Sequence, residues 1–318
     1  MVMKKGFWII LCMFFIPPVT FAGNMKLHYD RPAEYFEEAL VIGNGTMGAT
    51  LYGGVKKDKI SFNDITLWTG EPESENSSPD AFNTIPEIRA LLDNEDYQGA
   101  DKAQYKVQGH YSENYQPLGT LTIEYLDDTV GISDYHRWLD IGNATARTQY
   151  LKGGKLFTSD YFASAPDSVI VIRLKSENKE GIYALLSFDS PLPHSSQVAD
   201  NEISVEGYAA YHSFPVYYKA EDKHRYDPER GIHFKTLVRV LSVDGRVKNR
   251  YSDSRIEIDG STEVLILVAN VTSFNGFDKD PVKEGRNYRS HVEKRMKCAV
   301  GKTYDALREA HIRDYKYY

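Results

Sequence analysis

Cysteine is scarce in this sequence: two residues in 318, Cys12 and Cys298. Cys12 lies in an N-terminal stretch that starts with Lys4 and Lys5, runs through the apolar segment from Gly6 to Phe15, and reaches the small-residue pattern Thr20-Phe21-Ala22. That is the layout of a secretory signal peptide over residues 1–22. A mature chain would keep Cys298 alone, which excludes an internal disulfide. Cys298 falls in a helical pattern and reads as a small buried apolar residue without chemistry. A basic excess is also missing. Lys and Arg number 38 against 45 Asp and Glu, for a formal net charge of −7, so nucleic acid, whose binding needs cations to displace counterions, is excluded as a partner. No apolar run of about 18 residues follows residue 22, which excludes a stable membrane span. The expectation is a soluble, exported protein, periplasmic or extracellular.

Several chemical signatures are absent too. The nine histidines never stand at H-x-x-x-H or H-E-x-x-H spacing, there is no G-x-S-x-G elbow, and no pair of cysteine ligands exists. A metalloenzyme and a serine hydrolase are therefore disfavoured, and neither metal nor cofactor is expected. Gly43-Asn44-Gly45-Thr46-Met47-Gly48 matches G-x-G-x-x-G, but a dinucleotide loop must open a helix. Here the alternating, Gly-rich Ala49-Thr50-Leu51-Tyr52-Gly53-Gly54 follows, so these glycines read as tight β-turns or close backbone approaches.

What is present is β pattern. From residue 39 to about 274, short alternating or β-branched runs are broken by Gly, Asn, Asp and Pro, the signature of a large antiparallel β-sandwich. Leu121 to Leu126 alternates faces. Ser168 to Leu174 and Glu263 to Ala269 read as strands buried on both faces, as two-sheet packing would make them. A short helical insertion near 84–107 interrupts the pattern: Thr84 and Glu87 form a capping box, Pro86 suits a first turn, and Ile88, Leu91 and Leu92 follow helical spacing. Two amphipathic helical segments close the chain. Tyr288, Val292, Met296, Ala299 and Val300 form one stripe; after Gly301, Tyr304, Leu307, His311 and Tyr315 form a second that stays in phase to Tyr318 without a stop signal. The chain is thus expected to end inside a helix.

Carboxylates are numerous, and glycoside hydrolysis needs two of them across the scissile bond, but sequence cannot place such a pair. Glu37 with Glu38, Asp127 with Asp128, and the Glu71, Glu73, Glu75 series read as solvated loop charge. Asp64, between Asn63 and Trp68, shares one turn with an aromatic ring and polar groups; a packed Trp68 is the plainer alternative to a binding ring. The 23 tyrosines fill β cores by default, though aromatic rings also stack on sugars. N-x-S/T sequons stand at Asn44, Asn76, Asn143 and Asn270.

Read in order, Leu27–Ala33 (LHYDRPA), Glu38–Ala49 (EALVIGNGTMGA), Tyr52–Val55 (YGGV), Phe62–Pro72 (FNDITLWTGEP), Tyr115–Gly119 (YQPLG) and Phe162–Asp167 (FASAPD) resemble the N-terminal domain of glycoside hydrolase family 95. The likeness continues through Thr272-Ser273-Phe274 to Tyr304, Leu307, His311, Asp314 and Tyr315, and so spans residues 27–318. That family contains α-L-fucosidases and some α-L-galactosidases. The resemblance implies a β-sandwich, then a helical linker, then an (α/α)6 barrel that holds an inverting catalytic machinery of one acid glutamate and water-positioning asparagines supported by an aspartate. None of those catalytic residues falls within this chain.

The resulting expectation is a mainly β chain: signal peptide over 1–22, sandwich over 23–280, and a helical linker over 281–318 that would lead into a barrel absent here. Its partners would be that barrel and a fucosylated glycan or plant polysaccharide. The chain alone would be inactive, with Asn63 and Trp68 lent to the rim of the substrate cleft. The alternative is a free-standing carbohydrate-binding sandwich without catalysis.

Overall fold

A computed structural model describes residues 25–73, 80–109, 111–127 and 131–318. The expected leader, together with Glu75, Asn76 and Asp128, lies outside the described residues. In chain order the first elements are β1 (Lys26–Tyr29), β2 (Leu40–Gly43), β3 (Met47–Leu51), β4 (Lys57–Asp64), α1 (Ala81–Asp93) and α2 (Tyr97–Gln104). Then come β5 (Gly119–Tyr125), β6 (Ile132–Asp140), β7 (Thr145–Lys152), β8 (Lys155–Ser164), β9 (Val169–Ser176) and β10 (Ile182–Asp189). β11 (His194–Ala199), β12 (Glu202–Tyr208), β13 (His212–Ser213) and β14 (His224–Arg225) follow. β15 (His233–Ser242), β16 (Arg246–Arg250), β17 (Arg255–Ser261), β18 (Glu263–Thr272), α3 (Tyr288–Val300) and α4 (Tyr304–Tyr315) complete the series.

The strands form a nine-stranded sheet, β1-β6-β7-β8-β9-β18-β15-β12-β11, facing a seven-stranded sheet, β16-β17-β10-β5-β4-β3-β2, while β13 and β14 pair apart. The alternation in β5 is realised residue by residue: Leu121, Ile123 and Tyr125 are buried and Thr120, Thr122 and Glu124 are not. They meet Tyr161, Ile172, Val238 and Ile266 of the opposite sheet in the main core. The Gly43–Gly48 motif is the β2–β3 hairpin, with Gly45 at φ +85°. That left-handed backbone is one in which glycine carries no steric cost.

Strands β9 and β18 are buried on both faces, as their continuous apolar runs imply, but a helical layer covers the second face. Val169, Val171, Leu267, Ala269 and Val271 pack under Tyr288, Val292, Met296, Ala299 and Leu307. The two stripes of the closing helices therefore find their partner on the sandwich itself. Three local expectations are corrected. Cys298 is exposed, because it is two residues on from Met296 and so turned well away from the Val292–Met296–Ala299 stripe. The second stripe does not run to Tyr318: α4 closes at Tyr315, whose hydroxyl donates to the Ile141 carbonyl at 2.7 Å, and Tyr318 is exposed. The capping box at Thr84 is not formed. The helix starts at Ala81 with Pro86 inside it, and the Thr84 hydroxyl donates back to the Asp80 carbonyl at 2.9 Å, the competing use of a helical threonine.

Candidate functional site

Strand β4 delivers the segment that carries the candidate site, and Asp64 at its end fixes how the chain leaves the sheet. One Asp64 oxygen accepts from the Thr66 backbone N–H at 2.9 Å and the Thr66 hydroxyl at 2.7 Å, an Asx turn. The other accepts from the Asn270 side chain at 2.8 Å, and Asn270 in turn accepts from Thr236 at 2.8 Å. Asp64 is thus an anchor that ties the turn to β18 across the core, not a group open to substrate. Asn270 is fully buried, so its sequon cannot carry a glycan.

The turn presents Trp68. Its indole N–H donates to the Ile65 carbonyl at 3.0 Å, and its ring lies edge-on to Tyr115 at 5.5 Å. A β-bridge also joins the two residues. One edge is therefore packed, yet the residue remains 43% exposed, a ring clamped in orientation with surface left open. Burial together with the charge of Asp64 pushes the Tyr115 hydroxyl above its ordinary pKa. Trp68 lines a cleft of about 320 Å³ with Thr69, Pro72, Glu113, Phe274 and Phe277, and Phe277 stands almost wholly in solvent.

The polar side of the cleft is a cluster that no local sequence pattern signals. Glu113 accepts from the Thr69 hydroxyl and the Ser213 backbone N–H at 3.1 Å, and it pairs with His212 Nδ1 at 2.7 Å. Ser213 Oγ accepts from the Asn114 amide at 2.8 Å and meets His224 Nδ1 at 2.8 Å. Serine, histidine and glutamate thus stand together, but Ser213 is fully buried and has no path to a substrate. The cluster braces the loops; it is not a nucleophile triad. Glu71, expected as solvated loop charge, is instead held by Arg230, whose guanidinium lies 3.7 Å over the Tyr211 ring. Glu38 is likewise engaged, by Arg31 at 2.6 Å, and Asp127 by Lys152. Among the described residues no group of three or more His, Cys, Asp or Glu is placed to hold a metal ion. The arrangement sets aromatic faces around the cleft, and among the described residues that line it the two carboxylates, Glu71 and Glu113, are both engaged.

The sequence profile of the family described as "Glycosyl hydrolase family 65, N-terminal domain" matches residues 27–276. The chain belongs to that family. It is 29% identical over 306 residues to Alpha-L-fucosidase 2 of Arabidopsis thaliana, covering 92% of this chain and 35% of the relative. It is 26% identical over 294 residues to Probable alpha-fucosidase A of Aspergillus oryzae, with 87% of this chain and 38% of the relative covered. The chain therefore spans little more than a third of the relatives it matches. Among solved structures it resembles a putative kojibiose phosphorylase from the human microbiome, with a TM-score of 0.53 and 9% identity over 92% of this chain and 38% of that one. That likeness concerns the fold alone. Within the glycosyl hydrolase family 65 N-terminal fold, Trp68 lies at the cleft just described, whereas Asn63 lines a separate trough on the outer face of the seven-stranded sheet. The structure does not bring the two into one cavity.

Proposed function

We propose that this chain is the N-terminal sandwich, with its following helices, of an exported α-L-fucosidase-like enzyme of glycoside hydrolase family 95. The catalytic barrel of that enzyme would remove terminal α-L-fucosyl or α-L-galactosyl residues from glycans or plant polysaccharides with inversion. The observation that carries this reading is the 29% identity to an α-L-fucosidase over 306 residues that amount to 35% of that protein. The bracing of the Glu113, Ser213 and Glu71 side chains supports the placing of catalysis outside this cleft, since the carboxylates described there are engaged and not paired across an open site. In the whole enzyme the sandwich supports the barrel and Trp68 lends its open face to the rim of the substrate cleft. The test is release of nitrophenol from 4-nitrophenyl α-L-fucoside. The 318-residue chain is expected to show no turnover above the buffer rate, and the product of a longer reading frame to show sustained turnover; efficient hydrolysis by the chain alone overturns the proposal.

A further inference from the structure

The outer face of the seven-stranded sheet carries a second depression, of about 500 Å³, inside the range of roughly 300–1,000 Å³ typical of small-molecule sites. Its floor follows from strand register. Thr50 of β3 pairs with Ser61 of β4, Ser61 with Thr120 of β5, and Thr120 with Asp189 of β10, one row across four strands. Thr122 and Asn63 flank that row. Asn63 faces Gly48 on the neighbouring strand, so bare backbone keeps that end of the floor low. Phe36, Pro117 and Pro191 supply apolar walls.

Thr50 is the observation that turns this trough into a site. It is 6% exposed, it lines the trough, and its hydroxyl has no hydrogen-bond partner in the described structure. Ser61 and Thr120 satisfy each other at 3.1 Å, which leaves Thr50 as the unmet member of the row. A buried hydroxyl without a partner is destabilising until a ligand supplies one.

We propose that this trough binds a neutral saccharide, one or two rings seated on the Thr50–Ser61–Thr120 row with Asn63 and Asp189 at its ends. Hydroxyls and a primary amide offer donors and acceptors without charge, the match for sugar hydroxyls. Phe36 and the two prolines face the C–H side of the ring. No lysine or arginine lines the trough, and the one carboxylate, Asp189, is 88% exposed at the rim, so neither an anion nor a cation is the fitting ligand. The site is separate from the Trp68 cleft and does not depend on whether a catalytic barrel follows.

Isothermal titration calorimetry of the purified chain with 2′-fucosyllactose and with cellotetraose tests this. Saturable millimolar binding of at least one is expected, weakened at least about 5-fold, the equivalent of one hydrogen bond, in Thr50→Val. That variant keeps the side-chain shape in a strand and removes the unmet hydroxyl, so its melting temperature should hold or rise while binding falls, a combination that a purely structural threonine does not produce. Phe36→Ala, at an exposed position, is expected to weaken binding as well. Absence of binding by both sugars, unchanged binding in Thr50→Val, or loss confined to Trp68→Ala would each overturn the proposal.

Discussion

Asp58 shows how a single residue sets the behaviour of the core. It is almost fully buried between the sheets, where it accepts from the Tyr161 hydroxyl at 2.8 Å and the Gly54 N–H at 2.9 Å. Burial pushes its pKa up from 3.8 to about 6, against the opposing pull of those hydrogen bonds. The native state therefore holds this proton more tightly than the unfolded chain does, and the stability it contributes is present below pH 4 and lost as pH rises through about 6. Urea unfolding of Asp58→Asn, which keeps one acceptor oxygen, should remove this dependence. The difference between the native chain and the variant is expected to change by on the order of 2–3 kcal/mol between pH 4 and pH 6.5, whereas parallel pH curves would contradict the assignment. Asp64 teaches the complementary lesson. Its place beside Trp68 was visible in the sequence, but its role was not, because its partner Asn270 is 206 positions away.

At the scale of elements, the closing helices are part of the sandwich and not an appendage. Met296 is buried between α3 and the nine-stranded sheet, so Met296→Ala should cost about 2–4 kcal/mol in urea unfolding, as methionine truncations in packed cores do. A loss under about 0.5 kcal/mol, the level of a surface substitution, would mean that α3 does not dock as described. His311 supports the same docking: its Nε2 lies 3.1 and 3.0 Å from the Asn143 and Ala144 carbonyls, its ring stacks on Phe162 at 5.0 Å, and burial lowers its pKa. Most of this architecture could be read beforehand, because period-two runs such as Leu121–Tyr125 and stripes such as Val292, Met296 and Ala299 are local. What could not be read is long-range. The Glu113–His212 pair joins residues 99 apart and the Trp68–Tyr115 bridge joins two loops, so neither leaves a local pattern. Cys298 and Thr84 depart from their sequence reading for local reasons: helical phase turns Cys298 away from the buried stripe, and the Thr84 hydroxyl bonds back to its own helix at Asp80.

For the whole molecule, the Trp68 cleft and the hydroxyl-lined trough on the outer face of the seven-stranded sheet are separate ligand-sized depressions. It spans little more than a third of the fucosidase relatives, and its own carboxylates near the cleft are engaged in bracing. Both facts support the proposal that this domain serves a catalytic partner. The central claim is therefore tested most directly by sequencing the source DNA across the Tyr318 codon and several hundred codons beyond. The account predicts an open frame that encodes a helix-rich stretch with inward-facing Glu, Asp and Asn residues. A stop codon directly after Tyr318 would contradict it and leave glycan binding as the function to pursue.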